Sequence, residues 1–139
     1  MIALDTNMLV RALVADHPDQ VAVVRQLIAG DTVFISRTVL LETEWVLRAR
    51  YKRMPAELLN LFRALMETDD TVIEAAEEVR NALDWYEHGA DFADALHLAA
   101  CGSAVMHTFD RNFCAAARVA GIAPEVRIWD HHKNRPSTI

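Results

Sequence analysis

Short β-branched runs alternate along the chain with longer stretches whose apolar residues recur every three or four positions. IALD (2 to 5) and TVFIS (32 to 36) read as buried strands, the second after the Gly30-Asp31 turn signal. SAVMHTFD (103 to 110) follows Gly102, and EVRIWD (125 to 130) follows Gly121 and Pro124, which makes two more strands. Between them the period is helical. Val21, Val24, Leu27 and Ile28 mark a helix over 19–29, and Ser36 or Thr38 can cap another through Leu41, Trp45, Val46 and Ala49. Pro55, a favoured first-turn residue, opens a third carrying Leu58, Leu59, Phe62 and Leu65. Residues 71–85 continue the pattern with Val72, Ala75, Ala76, Val79 and Leu83. Strands alternating with helices require crossover connections, so the expected fold is α/β, a mostly parallel central sheet of about four to five strands flanked by helices on both faces. No linker or repeat interrupts it: residues 1–132 read as one domain and 133–139 as a polar, frayed tail.

Composition narrows the class. With 139 residues, 53% hydrophobic and 24% charged, the chain can bury a sizeable core, which argues against disorder. No apolar run reaches the roughly 18 residues that span a bilayer. The start MIALDTNMLV lacks a basic end and a cleavage signal, so the cytoplasm is the expected compartment. Cys101 and Cys114 have neither CxxC spacing nor a zinc-like histidine pattern and read as small buried hydrophobes. A net charge of -6 disfavours a basic nucleic-acid footprint. Carboxylates gathered in one cleft, however, hold divalent cations that supply the positive field themselves.

The placement of the acids suggests such a cleft. Asp5 ends the first strand and Asp110 the third, at the carboxyl edge where open parallel sheets keep their functional crevice. In DFADALHLAA (91 to 100), Asp91 and Asp94 share one face at i, i+3, beside a stripe of Phe92, Ala95, Leu96 and Ala99. Asp91 can equally be a helix cap; Asp94 lies deeper and is harder to explain so. Glu42 in TVLLETEWVL sits among the core formers Leu40, Leu41, Trp45 and Val46, whereas Glu44 reads as a solvated charge. Two carboxylates about 4 Å apart repel by about 4 kcal/mol at an effective dielectric of 20, so a cluster needs protons or a cation. Magnesium, with its preference for oxygen ligands and one or two direct carboxylates, resolves the conflict.

In this order and at these intervals, Asp5 in LDTNML, Glu42 in TVLLETEWVL, Asp94 in DFADALHLAA and Asp110 in TFDRNF resemble the acidic quartet of PIN-domain ribonucleases. The likeness is nearest to the VapC-type toxins of toxin-antitoxin pairs and runs from residue 1 to about residue 130. It implies a single PIN-like domain, an endoribonuclease dependent on Mg2+ or Mn2+, a cognate antitoxin that covers the acids, and pairing of two copies. By the same resemblance Asp5 and Asp94 are the principal metal ligands, Glu42 and Asp110 support them, and Asp91 fits a variant in which an acid precedes the core aspartate. Asn7 and Thr108 match small polar positions that orient Asp5 and Asp110, or simply cap a helix or strand end.

A phosphodiester hydrolase must deliver a nucleophile in line and neutralise charge on the phosphoryl oxygens, which metal-activated water does without a covalent intermediate. RNA must also be gripped. RARYKR (48 to 53) offers Arg48, Arg50, Lys52 and Arg53 around Tyr51, and Arg111 follows the last acid; these suit phosphates and a base face, an antitoxin segment, or plain solvation. Trp45, Phe62 and Trp85 read as core or as a dimer contact rather than as base-stacking residues, and the apolar helices at 55 to 67 and 71 to 86 as pairing surfaces. Asp130-His131-His132 in the tail is a weak metal candidate, and His97 and His107 read as packed or hydrogen-bonded histidines. A phosphoryl-accepting Asp5, as in dehalogenase-like phosphatases or response-regulator receivers, lacks the accompanying acid pair or the Thr and Lys. The alternative of another class is a noncatalytic interaction module on the same fold; retention of all four acids argues against it.

Overall fold

The computed structural model describes residues 1–130 and the backbone of residues 136–137. In chain order these form β1 (Ile2–Ala3), α1 (Thr6–Leu13), α2 (Pro18–Ala29), β2 (Val33–Ile35), α3 (Arg37–Ala49), α4 (Pro55–Glu67) and β3 (Thr71–Ile73). There follow α5 (Ala76–Glu87), α6 (Phe92–Ala99), β4 (Met106–Thr108), α7 (Ala115–Val119), β5 (Val126–Trp129) and β6 (Pro136–Ser137). The class is the expected mixture of helices with parallel strands. The chain forms two compact units, Met1–Ala76 and Glu77–Ile139.

In the first unit β2 lies between β1 and β3, parallel to both, with Val33 opposite Ile2 and Thr71. Alternation along a pleated strand turns Val33 and Ile35 inward, and both are buried. Three of the helices start on side chains suited to the place, two of them, Ser36 and Pro55, read as such in the sequence. Asp5 caps α1, the Ser36 hydroxyl accepts from the Val39 N–H at 3.2 Å to cap α3, and Pro55 opens α4. Leu9 and Val10 of α1, Val24 of α2, Leu40 and Leu47 of α3, and Leu58 and Phe62 of α4 are buried. Each such side chain contributes roughly 1.5–3 kcal/mol.

The structure corrects the sequence reading at several places. Thr71–Ile73 is a strand, not the start of a helix: its β-branched residues pair with β2, and the Glu74 N–H donates to the Ile35 carbonyl at 3.0 Å. Val72 had mimicked the helical period by chance. The helix proper begins after Ala75, whose φ of 49° breaks the chain direction. Helices α1 and α7 had no separate signal, the first because Met8-Leu9-Val10 is a continuous apolar run and the second because it is only 5 residues long. Most apolar positions of α4 and α5 are buried or half-buried within the chain, among them Leu58, Leu59, Phe62, Val79 and Leu83, while α2 exposes Val23, Leu27 and Ile28.

In the second unit β5 pairs in parallel with β4 and antiparallel with β6, His107 standing opposite Arg127 and Ile128 opposite Ser137. Hydrogen bonds thus join the described strands in two sheets of three, where the sequence suggested one of four to five. The added members are β3, hidden in a helical period, and β6, in the segment read as a frayed tail. Proline at β6 fits an edge, where no ladder N–H is needed. Helix α5 buries Val79, Leu83, Trp85 and Tyr86; the Trp85 indole N–H donates to the Ile122 carbonyl at 2.9 Å, and Tyr86 meets Phe92 edge to face at 5.3 Å. No described helix is long and apolar enough to cross a membrane.

The turn from α5 to α6 positions an acid. Gly89 at φ 92° donates to the Tyr86 carbonyl at 3.0 Å, and Ala90 donates to the Trp85 carbonyl at 3.1 Å. This double closure ends α5 and leaves Asp91 in place to start α6. A Cβ at Gly89 would meet no atom within 4 Å, so the demand is purely conformational. Gly89→Ala should therefore destabilise the protein by about 1–2 kcal/mol in denaturant titration, and an unchanged midpoint would refute the left-handed cap.

Candidate functional site

In the first unit the chain leaves β1 at Asp5 in an extended conformation, and its Oδ1 accepts from the Met8 N–H at 3.0 Å. Capping fixes the carboxylate at the strand's end. Asp5, Thr6, Asn7, Thr38, Val39 and Glu42 line an open concavity of about 290 Å³. The structure thus brings Asp5, Asn7 and Glu42 together. Thr6 and Thr38, which the sequence reading left out of the site, complete the wall.

The two glutamates of α3 exchange the roles expected of them. Glu42 is exposed, while Glu44 is 3% exposed and its Oε2 accepts from Arg48 Nε at 2.9 Å. The reason is rotation: the buried stripe is Leu40, Thr43, Glu44 and Leu47, and residue 42 lies about 200° of helix from residue 44. Leu41, Trp45 and Val46 misled the pattern, because Leu41 and Val46 are half-buried and Trp45 is 51% exposed. Thr43 Oγ1 is buried with no hydrogen-bond partner among the described residues.

In the second unit Asp91 caps α6, its Oδ2 accepting from the Asp94 N–H at 3.1 Å. Asp94 is half-buried in the first turn. Burial first, and then the charges of Asp91 and Asp110, push its carboxyl above the usual range, and His97 works against them. Asp110 is held at both ends: its N–H donates to Thr108 Oγ1 at 3.0 Å, and its Oδ1 accepts from the Asn112 N–H at 2.8 Å. Thr108 therefore orients Asp110 through the backbone. Asp91, Asp94 and Asp110 form one electrostatic group.

Cys114 is fully buried, and burial followed by the Asp94 charge pushes its thiol up to about 11, with Arg118 opposing. Half-buried Cys101 donates from Sγ to the His97 carbonyl at 3.3 Å. Both suit the reading as small packing residues. The Trp129 indole N–H donates to His107 Nδ1 at 2.7 Å, which makes His107 a hydrogen-bonded histidine. Of the Asp130-His131-His132 cluster, His131 and His132 lie outside the described residues, and Asp130 lies 3.6 Å from Arg111.

The basic run is partly neutralised. Arg48 pairs with Glu44, and Arg53 lies 3.4 Å from Glu57. The Tyr51 hydroxyl accepts from Arg11 at 2.8 Å and donates to Asp16 at 3.1 Å, so it belongs to an internal network that the sequence did not reveal. Arg50 holds its guanidinium 5.8 Å from the Trp45 ring centroid, and Lys52 is exposed at φ 55°.

The donor chemistry fits a hard divalent cation. Asp5 in the first unit, and Asp91 and Asp110 in the second, each give one oxygen to a backbone N–H and keep the other; at Asp94 burial, and then the charges of Asp91 and Asp110, disfavour the bare carboxylate, which a cation would relieve. Among the described residues no group of three or more His, Cys, Asp or Glu side chains is spaced to hold an ion. Magnesium, which retains most of its water, needs only one or two direct carboxylates.

The PIN domain family matches residues 2–119. No curated protein and no solved structure matches the chain.

Two outcomes follow from this geometry. Asp5→Ala should cost about 1 kcal/mol through loss of the cap, whereas Asp5→Asn, which caps as well, should leave the unfolding midpoint nearly unchanged; equal losses would refute the capping role. Because the folded-state pKa of Asp94 is raised, its penalty is absent below the unfolded carboxylate range and fully present above the folded one. Asp94→Asn should therefore raise the thermal midpoint of chelator-treated protein at neutral pH, with the gain fading as pH falls through the carboxylate range. A gain that grows toward acid would contradict the crowding.

Proposed function

Because the chain belongs to the PIN domain family, a nuclease fold acting on RNA and generally using divalent metals, we propose that it is a Mg2+- or Mn2+-dependent endoribonuclease of the VapC type. The toxin of a toxin-antitoxin pair is its biological role in this reading, with a cognate antitoxin and a second copy as partners and the cytoplasm as its setting. The observation that carries the proposal is the family match over residues 2–119, beside which Asp91 caps the turn of Asp94 and the charges of Asp91 and Asp110 add to burial in raising the Asp94 carboxyl. Like charges that disfavour one another in this way suit a counter-ion.

Asp5 and Asp94 are the principal ligands, and Glu42 and Asp110 support them directly or through water. A divalent ion, if held by these acids, would supply an activated water and polarise the phosphate. The protein's own task is orientation. The cap bond from the Met8 N–H pins one oxygen of Asp5, the Asn112 N–H does the same for Asp110, and Asp91 anchors the first turn that carries Asp94. Asn7, on the wall of the Asp5 concavity, has an amide to donate to a phosphate oxygen. Arg50 and Lys52 are the candidates from the basic run for RNA phosphates, while Arg48, Arg53 and Arg111 must first leave their carboxylates. The exposed apolar positions of α2, Val23, Leu27 and Ile28, support the expectation of a protein partner.

Purified protein incubated with total cellular RNA should make discrete cuts that require Mg2+ or Mn2+, with ends mapped by sequencing. Asp5→Asn and Asp94→Asn should each lower cleavage at least about a hundredfold, and Glu42→Gln about ten- to a hundredfold, as a support rather than a principal ligand. Full activity of Asp94→Asn at saturating magnesium would sink the assignment.

A further inference from the structure

Trp45 is 51% exposed, whereas Trp85 is 5% exposed in the packing of α5. A tryptophan left open presents a large flat face to something outside the chain. Its place on α3 is informative. Glu42, on the wall of the acidic concavity, lies three residues earlier, so the two side chains stand on the same side of the helix, about 4.5 Å apart along its axis. Beside the indole is the Arg50 guanidinium, 5.8 Å from the ring centroid. Glu44 neutralises Arg48 and Glu57 neutralises Arg53, but Arg50 has no carboxylate partner among the described residues.

An open aromatic face with an unneutralised cation beside it suits a nucleotide: the base stacks on the ring and the phosphate meets the guanidinium. Trp and Arg also suit a protein partner, but that is the weaker match here, because the exposed carboxylate of Glu42 stands on the same face and acids are depleted from interface cores. The net charge of -6 sharpens the contrast, since phosphates approach such a chain only where a cation is left free of acids.

We infer that Trp45 is a base-stacking platform and Arg50 its phosphate contact, holding an unpaired nucleotide of the RNA beside the Glu42 wall. The inference rests on the nuclease reading above and deepens it. Stacking of this kind makes little demand on the identity of the base.

The test measures binding apart from cleavage. Chelator-treated protein, which cannot cut, is titrated by anisotropy with a fluorescein-labelled, mixed-sequence RNA octamer. Trp45→Ala and Trp45→Leu should each weaken binding roughly tenfold, and Trp45→Phe, which restores a ring, should stay within about threefold. Arg50→Ala should weaken binding and flatten its salt dependence by about one charge. Abasic substitution at one position should reproduce the loss in the wild type and add nothing in Trp45→Ala. Unchanged binding by Trp45→Ala, rescue by Leu as complete as by Phe, or a Trp45→Ala effect on self-association with none on RNA would each overturn the platform. Cleavage that needs metal but ignores Trp45 would refute this inference alone, while Trp45-dependent binding without metal-dependent cleavage would refute the nuclease reading alone.

Discussion

A carboxylate that caps a helix gives one oxygen to a backbone N–H and keeps the other, and this divided allegiance underlies the chemistry proposed here. Asp5 does so with Met8 and Asp91 with Asp94; Asp110 repeats the device in a turn, with Asn112. The bond satisfies an N–H that a helix start would otherwise leave orphaned. It also removes the rotational freedom of the acid, so that the remaining oxygen is aimed without further support. Fold stability and ligand orientation are obtained from the same atoms, which is why these acids can be both capping residues and candidates for chemistry. The cap, one of the two readings of Asp91 in the sequence, is present in the structure, and it leaves the second oxygen open to the proposed chemistry.

Capping also explains which parts were legible beforehand. A Ser after a strand and a proline before an apolar period are local signals, and Ser36 and Pro55 acted on them as expected, whereas the cap at Asp5 emerged only in the structure. What local pattern cannot convey is which way a helix is turned once it packs. The run LLETEWVL has apolar residues on nearly every side, so Glu42 and Glu44 were indistinguishable except by context, and the packing of α3 decided between them. Likewise Thr71–Ile73 carried both a helical period and β-branched composition. Pairing with β2, a contact distant in sequence, settled it.

Charge is arranged with the same economy on α3. One face takes Glu44 into the interior and keeps it there with Arg48; the other exposes Glu42 beside Trp45 and Arg50. A buried carboxylate retains a partner because its isolation would be strongly unfavourable, and that partner is thereby withdrawn from the basic run. The run therefore has less free positive charge than its composition suggests. Much of the difference between RARYKR as text and as surface lies in this single pair and its neighbour, Arg53 with Glu57.

Cys114 shows the acidic field from the other side. The carboxylates that favour a cation disfavour a second anion, so the thiolate that would form at Cys114 is suppressed by Asp94, Asp91 and Asp110 as well as by burial. Oxidants and alkylating reagents attack the thiolate, not the thiol. Burial is the larger cause and the three acids add to it, so the Cys114 sulfur stays a thiol and is a poor target for such reagents.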